Sequence, residues 1–470
     1  MGQWNRIAAC VAVGAMASGV VFTQSRGPAT AVLYEGARVI IGDSSAPIDS
    51  AAFVVQDGKI GAIGRKGAVN APGGATRVDL TGKTVMPTMN NAHLHVGYEA
   101  YTSWGPEHYG PANILDHLQR EAFYGVGAVM SAGDQPTEQA FQFQRDQAAG
   151  KFPPAARFFF TAGMAPPGAG PDAVLIKGTT ALKAVYEIET PDQARTAVRT
   201  IADRKFSGIK IWVDDRDAKR GKMQKMSPEI FTTIINEAHS RGLLVHAHAF
   251  TLADQKAVVK AGADVIVHTI RAGKVDDEYL ALLKEKKPFW NPVMGLGDRA
   301  EVCDEGNEFV EQVLPKSTIA DIREGRNGLN IPGCSATASP EAEARREAQK
   351  YNFMKMIQAG ARLALGTDAG VIPKYSFGWA EHHEIEMYVK FGLTPAQAIV
   401  ASTSTPTGIM RINDTGTLSA GKRADFLVLD ANPLENIRNT RQINSVYLNG
   451  VKIDRAALLA KWKKANLGTR

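Results

Sequence analysis

Short apolar runs alternate with amphipathic stretches along the middle of the chain, and this alternation predicts parallel strands joined by helices. Eight such runs favour an α/β fold of the (β/α)8 TIM barrel type, in which functional residues gather at the carboxyl ends of the strands. An open doubly wound sheet is the alternative, but no glycine-rich dinucleotide loop follows the first run. The predicted barrel strands are Thr84–Pro87, Ala128–Ser131, Arg157–Thr161, Ile209–Val213, Leu243–His248, Asp264–His268, Phe289–Val293 and Arg362–Gly366.

Both ends of the chain show shorter β-type runs that are broken by turns. They occupy residues 31–85 and recur in residues 415–455, where Asn449-Gly450 between two apolar runs predicts a hairpin. We expect these two segments to form one small β-sandwich beside the barrel, which then spans residues 86–414. Long loops are predicted at residues 165–189 and 295–340, and loops of that length in a compact domain are usually functional or mobile.

The composition changes this picture little. The chain has 470 residues, of which 44% are apolar and 22% charged, and these values exclude a disordered chain and a coiled-coil rod. The formal net charge is +6, but basic and acidic residues are interspersed, so no nucleic-acid-binding stripe is predicted. No apolar run beyond the first thirty residues approaches the ~20 residues that span a bilayer.

The N-terminal residues 1–22 have the pattern of a signal peptide. Arg6 precedes an apolar stretch, and the small residues Ala15 and Ala17 follow as an exit site. We therefore expect export to a periplasm or secretion, with an uncleaved membrane anchor as the alternative reading of the same pattern. The residues before Cys10 also resemble a lipoprotein box.

The other two cysteines, Cys303 and Cys334, fall in one loop-rich region. An oxidising compartment would allow a disulfide between them, and two free thiols are the alternative.

Residues of metal-ligand type stand at four predicted strand ends. Residues two apart in an extended segment point to the same side, so a His-x-His pair can hold one metal ion. Two such pairs occur, and a fifth histidine and an aspartate end two further strands; unlinked structural histidines would instead scatter over helices and loops. These residues are His93, His95, His246, His248, His268 and Asp368.

Lys210 lies inside the apolar fourth strand. A buried ammonium is costly, so this lysine either reaches solvent at the strand end or is chemically altered. An amine of lowered pKa reacts with carbon dioxide to give a carbamate, an anionic oxygen ligand that can bridge two metal ions.

In this strand order, the histidines, Lys210 and Asp368 resemble the amidohydrolase superfamily, and most closely its imidazolonepropionase-like branch, which includes metal-dependent Xaa-Pro dipeptidases of the prolidase type. The C-terminal stretch 416–425 and the stretches 382–386 and 392–398 are similar to the same family. Asn91 departs from the pattern, because the family often has an aspartate two residues before the first histidine.

The resemblance implies a role for each of these residues. His93, His95 and Asp368 would hold one divalent metal ion, most simply Zn²⁺. His246 and His268 would hold a second, with carboxylated Lys210 and a hydroxide bridging the two. Asp368 would also shuttle the proton during attack of that hydroxide. His248, Tyr98 and Arg271 are candidates for substrate contact or for support of the ligands, whereas His382 is expected to support a loop.

The activity implied is hydrolysis of a carbon–nitrogen bond in a small-molecule amide, lactam or N-acyl amino acid. An Xaa-Pro dipeptidase or carboxypeptidase-like peptidase is the alternative within the class, and a non-catalytic metal-binding barrel is the alternative outside it. A pure binder has no need of the proton shuttle Asp368, which argues against the last. The oligomeric state stays open, with a homo-oligomer among the options. An aromatic loop, which forms either a substrate wall or a hydrophobic plug, contains Tyr98, Tyr101, Trp104, His108 and Tyr109.

Overall fold

The computed structural model describes residues 31–100, 103–170, 181–215, 224–297, 300–325, 333–335, 340–371 and 377–467. The predicted signal peptide and Tyr101 lie outside these residues. Among them, no helix is both long and apolar enough to cross a bilayer.

Seventeen strands are present in the described chain. They are β1 Val32–Val39, β2 Ile48–Gln56, β3 Lys59–Arg65, β4 Thr76–Asp79, β5 Thr84–Pro87, β6 Met89–Leu94, β7 Val126–Ala132, β8 Arg157–Ala165, β9 Val185–Glu187, β10 Ile209–Trp212, β11 Val245–His248, β12 Val265–Val267, β13 Phe289–Asn291, β14 Arg362–Leu363, β15 Phe426–Leu429, β16 Ile443–Leu448 and β17 Val451–Lys452.

The helices of the described chain fall mainly between the strands of its middle part. They are α1 Pro111–Phe123, α2 Thr137–Ala148, α3 Pro191–Asp203, α4 Pro228–Ser240, α5 Leu252–Ala261, α6 Asp277–Lys286, α7 Ala300–Cys303, α8 Glu308–Glu311, α9 Lys316–Glu324, α10 Pro340–Gln358, α11 Trp379–Lys390, α12 Pro395–Ser402, α13 Thr405–Met410 and α14 Arg455–Leu467. Local sequence fixes several of their starts: Thr190 and Thr394 each begin a helix with a capping box, which satisfies backbone N–H groups that the helix leaves unpaired.

The two ends of the chain meet in one eight-stranded sheet of order β17-β16-β15-β5-β1-β2-β3, with β4 beside β1. β5 joins the two segments, because it pairs in parallel with β1 and antiparallel with β15. Four aromatic rings pack against one another on this sheet, with Phe426 stacked on Tyr447 and Tyr34 stacked on Phe53. The predicted sandwich is therefore seen as a single sheet that unites the N- and C-terminal segments.

The middle of the chain forms a curled parallel sheet of order β14-β13-β12-β11-β10-β8-β7-β6. Backbone hydrogen bonds from Ala92 N to Leu365 O (2.9 Å) and from Thr367 N to His93 O (2.9 Å) return the last strand to the first. The fold is thus mixed α/β with a curled parallel sheet, as a TIM barrel requires, and the carboxyl ends of its strands share one rim.

Three sequence predictions about elements need correction. Thr84–Pro87 is not the first barrel strand but β5 of the terminal sheet, and Met89–Leu94 (β6) takes the barrel position. Only one residue separates the two short runs, and Met89–Leu94 contains two asparagines and a histidine, so hydrophobicity does not mark it as the barrel strand. The two predicted loops are also partly structured: the first contains β9 and the second contains α7, α8 and α9.

The open question about the cysteines is answered by the structure. Cys303 and Cys334 form a disulfide, with their Cα atoms 5.6 Å apart. The bond ties the end of α7 to the segment that precedes α10.

Candidate metal centre

Two of the predicted ligands lie on strained backbone at strand ends. His268 directly follows β12 with φ of 76°, and Asp368 follows β14 with φ of 61°. Non-glycine residues seldom adopt this left-handed conformation, and where they do it is often at functional sites. The backbone is therefore held in a costly geometry that turns both side chains towards the barrel rim.

Asp368 is the point on which the first cluster converges. Its Oδ1 atom lies 2.9 Å from His93 Nε2 and 3.0 Å from His95 Nε2, and all three side chains are buried. Its Oδ2 atom has no hydrogen-bond partner among the described residues and lies 3.9 Å from His268 Nδ1. One ligand atom from each of His93, His268 and Asp368 falls within 4.8 Å of the other two, as binding to one ion requires.

His95 lies between two carboxylates. Its Nδ1 contacts Asp134 Oδ2 at 2.9 Å, and its Nε2 contacts Asp368. Burial by itself would lower the pKa of His95, but the two carboxylates outweigh burial and raise the pKa to about 9. A cation at this ring is therefore stabilised, either as a proton or as a metal ion on Nε2.

A second cluster pairs His248 with His268. His248 Nδ1 lies 2.9 Å from His268 Nε2, and the other ring nitrogen of His248 contacts Asp214 in a short hydrogen bond. Both rings are buried, and burial lowers the pKa of His268 well below its usual value. The nitrogen of His268 that faces His248 is thus kept neutral and can act as a ligand.

His246 lies near Lys210 and His93: burial, and then the charges of these two groups, lower the pKa of His246 to about 3. It is buried on the same strand as His248, but neither of its ring nitrogens has a hydrogen-bond partner. The sequence prediction gave the ligand role to His246 and a supporting role to His248. The structure brings His248 into contact with His268 and leaves both ring nitrogens of His246 without a partner among the described residues, so either residue can serve as a ligand. The sequence did not separate the two residues because they share one face of β11.

Lys210 is buried in β10, paired in register with His246. Burial lowers the pKa of its amine from 10.5 to about 7, against the opposing charges of Asp368, Asp134 and Asp214. In the described part of the chain its Nζ makes no ion pair, and Trp212 contributes a ring at 5.6 Å. The lysine thus points inward, and its amine is easily held in the neutral, nucleophilic form.

Asp134 and Asp214 are functional candidates that the sequence analysis missed. Asp134 contacts Nδ1 of His95, and Asp214 contacts Nε2 of His248; in both histidines the other ring nitrogen faces the cluster. A carboxylate on the far nitrogen is the usual arrangement around a metal-bound imidazole. Asp134 is itself fixed by Ser131 Oγ (3.1 Å) and Gln135 Nε2 (2.9 Å). The signal was available, because both aspartates follow the carboxyl ends of barrel strands.

Behind the cluster, Asn91 belongs to a buried polar network. Its Oδ1 accepts a hydrogen bond from the backbone N–H of His93 (2.9 Å), and its Nδ2 donates to Thr367 Oγ1 (2.7 Å) and to Glu381. Glu381 also neighbours Glu121 in this network. Burial and the nearby Glu381 carboxyl group raise the pKa of Glu121 well above its ordinary value. The amide at position 91 thus donates to the carboxyl group of Glu381, which an ionised aspartate there could not do.

The remaining candidates, Tyr98, Arg271 and His382, have different surroundings. Tyr98 is buried, donates to the carbonyl oxygen of Asp134 and stacks on Trp104, so this part of the aromatic loop packs as a plug behind the site. Arg271 lines a cavity beside His268. His382 binds Thr440 Oγ1 and the carbonyl of Tyr124, away from the clusters, as expected of a supporting residue.

The residues present fit a divalent metal ion. His93 and His95 face the carboxylate of Asp368, and His248 and His268 face each other. Asp368 Oδ2 is a buried charge with no hydrogen-bond partner among the described residues. A buried, unpartnered carboxylate oxygen is rare, and a cation is its simplest complement. Imidazole and carboxylate donors of this kind are those that zinc prefers.

A comparison with protein families finds a match over residues 84–453 to the model of the amidohydrolase family. Among curated proteins, the chain is 27% identical to the ochratoxinase of Aspergillus niger over 53% of its own length and 45% of that protein's. It is 35% identical to the imidazolonepropionase of Deinococcus radiodurans over 21% of its own length and 25% of that protein's. It is 22% identical to the enamidase of Eubacterium barkeri over 85% of its own length and 86% of that protein's. The chain thus matches less than half the length of the ochratoxinase, and a small part of the imidazolonepropionase.

Solved structures show the same fold. A Xaa-Pro dipeptidase with bound methionine superposes with a TM-score of 0.70 at 23% identity, covering 90% of this chain and 100% of the other. Molinate hydrolase gives a TM-score of 0.69 at 19% identity, covering 92% and 96%. At these identities the likeness concerns the fold, and it supports the curled parallel sheet described above.

Proposed function

This chain belongs to the amidohydrolase family, and from that premise we propose that it is a metal-dependent hydrolase of carbon–nitrogen bonds in small amide-type substrates. The superfamily resemblance found in the sequence, with its imidazolonepropionase-like and prolidase-like members, is confirmed. The observation that carries the proposal is the convergence of His93, His95 and His268 on the single carboxylate of Asp368.

Two divalent ions, proposed to be Zn²⁺, would be held by two groups of residues. His93, His95 and Asp368 would hold one ion, while His248 and His268 would hold the other. When bound, such ions polarise the substrate carbonyl and lower the pKa of the attacking water.

Lys210 would complete the site as a carbamate. Its neutral Nζ adds to the carbon of carbon dioxide and loses a proton, which turns a buried amine into an anionic oxygen ligand. The burial of Lys210 and the lowering of its pKa to about 7 support this step, because the reacting form is the free amine. An anion here would also offset the positive charge of two ions.

Asp368 is proposed as the proton carrier. Burial alone would raise the pKa of this group, but the imidazoles of His93 and His268 hold it well below its usual range. Asp368 is therefore ionised and takes a proton from water as the water oxygen bonds to the carbonyl carbon. The carbon–nitrogen bond then breaks, and the same proton passes to the leaving nitrogen.

We also propose that the protein is exported. The pattern of residues 1–22 and the disulfide between Cys303 and Cys334 support an oxidising compartment. Intact mass of the protein recovered from an exported fraction checks this, because residues 1–20 should be missing.

The test of function combines metal analysis with a substrate panel of simple amides, N-acyl amino acids, Xaa-Pro dipeptides and lactones. Protein purified without chelator should hold close to two metal equivalents and hydrolyse at least one amide class. Asp368→Asn should lose turnover by about 100-fold or more, while His239→Asn, on helix α4, should not. A single equivalent with full activity would contradict the paired-ion site, and no hydrolysis of any substrate by the metal-loaded protein would contradict the function.

A further inference from the structure

A cavity of about 400 Å³ opens directly beside His268, and its lining is divided in character. One side is apolar, with Val293 and Met294 after β13 and Met387 from α11. The cationic part of the lining is made by the guanidinium groups of Arg271, Arg345 and Arg346. A molecule that fills this space meets the proposed metal ligand at one end and several positive charges along one wall.

Arg271 is held close to the cluster by Phe250. Its guanidinium carbon lies 3.1 Å from the centre of the Phe250 ring, and its backbone N–H donates to the Phe250 carbonyl (3.0 Å). The same ring packs against His248 and His268, with ring centres 4.4 Å and 4.5 Å apart. One aromatic ring therefore separates the guanidinium from both histidines, and its stacked position is fixed before any ligand binds.

Arg345 and Arg346 extend the positive wall from helix α10. Gln349, three and four residues further on, donates to Thr269 Oγ1 (3.0 Å), the residue after His268. Residues three and four apart share one face of a helix, so both arginines lie about one turn, or about 5.4 Å, beyond this anchor.

Neither Arg345 nor Arg346 forms an ion pair within the described part of the chain, although Glu341, Glu343 and Glu347 lie on the same helix. Adjacent like charges that face one cavity without partners repel each other, and an anionic ligand would relieve that repulsion. One carboxylate is satisfied by one arginine through paired hydrogen bonds, so the wall offers more donors than one carboxylate needs.

We propose that the substrate is an amide bearing two carboxylates, of the class of N-acylated acidic amino acids, including dipeptides that end in glutamate or aspartate. The α-carboxylate, two bonds from the scissile nitrogen, would meet Arg271 beside the cluster. The side-chain carboxylate would reach Arg345 and Arg346 one helical turn away, while the acyl group would pack on the apolar side. This inference rests on the proposed function and adds a substrate class to it.

The experiment compares N-acetyl-L-glutamate with N-acetyl-L-glutamine, which differ only in the second carboxylate, on the metal-loaded full chain. We expect kcat/KM to be about 10- to 100-fold higher for the glutamate compound, mostly through KM. Replacing both arginines (Arg345→Gln with Arg346→Gln) should bring the ratio of the two kcat/KM values close to one. Lys350→Gln, which lies on the same helix outside the cavity lining, changes the charge in the same way and should leave the ratio high.

The outcomes separate this inference from the proposed function. Equal kcat/KM values for the two compounds in an enzyme that cleaves amides would overturn the substrate class and leave the function standing. A high ratio that persists in the double arginine variant would also overturn it, because other residues would then read the second carboxylate. If no amide is cleaved, calorimetry with N-acetyl-L-glutamate decides: binding lost in the double variant supports the anion site without the reaction, and no binding to the wild type overturns it.

Discussion

At the scale of single residues, Lys210 distinguishes a carbamate-bridged pair of ions from an ordinary metal-binding barrel. The side chain is buried, and its amine has a pKa lowered to about 7 by desolvation. We predict that Lys210→Ala lowers the metal content below two equivalents and reduces turnover by about 100-fold or more. Lys210→Arg should do no better, because a guanidinium stays cationic and cannot become an anionic ligand.

Chemical rescue is the measurement that a purely structural role of Lys210 would not affect. Added acetate or propionate should restore part of the activity of Lys210→Ala by occupying the vacated space, and should not restore Lys210→Met, whose side chain fills it. Near wild-type turnover of Lys210→Ala, with both metal equivalents retained, would remove the carbamate from the proposal.

The sequence could identify the ligand types but not their partners. His93, His95, His268 and Asp368 were visible because their positions at strand ends are a pattern along the chain. Asp134 and Asp214 also follow strand ends, but their pairing with the far nitrogens of His95 and His248 is a contact between different strands that spacing does not encode. Asn91 was noticed as a departure, and only the structure shows that Glu381 requires a donor there.

At the scale of elements, strand β11 presents two histidines on one face, and in the described chain one of them makes a hydrogen bond to His268. His248 faces His268 at 2.9 Å, whereas the ring nitrogens of His246 have no partner. We predict that His248→Asn loses close to one metal equivalent and most activity, while His246→Asn keeps both equivalents. Elemental analysis of the two purified variants, with far-UV circular dichroism as the control for folding, decides between them; loss of metal from His246→Asn alone would return the ligand role to His246.

The same strand shows what pattern reasoning can resolve about elements. A period of two fixes which face a side chain takes, so His246 and His248 are expected on the same face of β11. How deep a side chain lies along the barrel axis depends on the register between neighbouring strands, which spacing along one strand does not give. Here β10 pairs Lys210 with His246 and Trp212 with His248. The sheet that β5 joins is likewise determined by pairing with strands that are distant in sequence, such as β15, and a local pattern does not reveal this pairing.

At the scale of the whole molecule, buried titratable groups should make the free energy of unfolding highest at an intermediate pH, with losses on the acid side and on the alkaline side. On the acid side, burial lowers the pKa of His117 and of His382 to about 3. The unfolded chain binds their protons from about pH 6.5 downwards and the folded chain does not, so stability is lost as pH falls from there towards 3. On the alkaline side, burial raises the pKa of Glu99 and of Glu384 to about 8. The folded chain keeps these protons above about pH 4.5 when the unfolded chain has released them, so stability is lost as pH rises to about 8 and is level beyond it.

Glu99 allows the alkaline limit to be tested, because it is buried and neither carboxyl oxygen has a hydrogen-bond partner in the part of the chain that the structure describes. Glu99→Gln keeps the shape of the neutral acid and cannot ionise, so it should remove this residue's share of the pH dependence. We predict that the free energy of unfolding falls between pH 5 and pH 8 by on the order of 3 kcal/mol less in Glu99→Gln than in the wild type. Urea unfolding at pH 5, 7 and 8 measures this, and Glu107→Gln, an exposed glutamate in the same loop, is the matched control that should follow the wild type. If Glu99→Gln and Glu107→Gln show the same pH dependence, Glu99 is ionised in the folded protein at neutral pH, and the alkaline limit has to be assigned to other buried carboxyl groups such as Glu384.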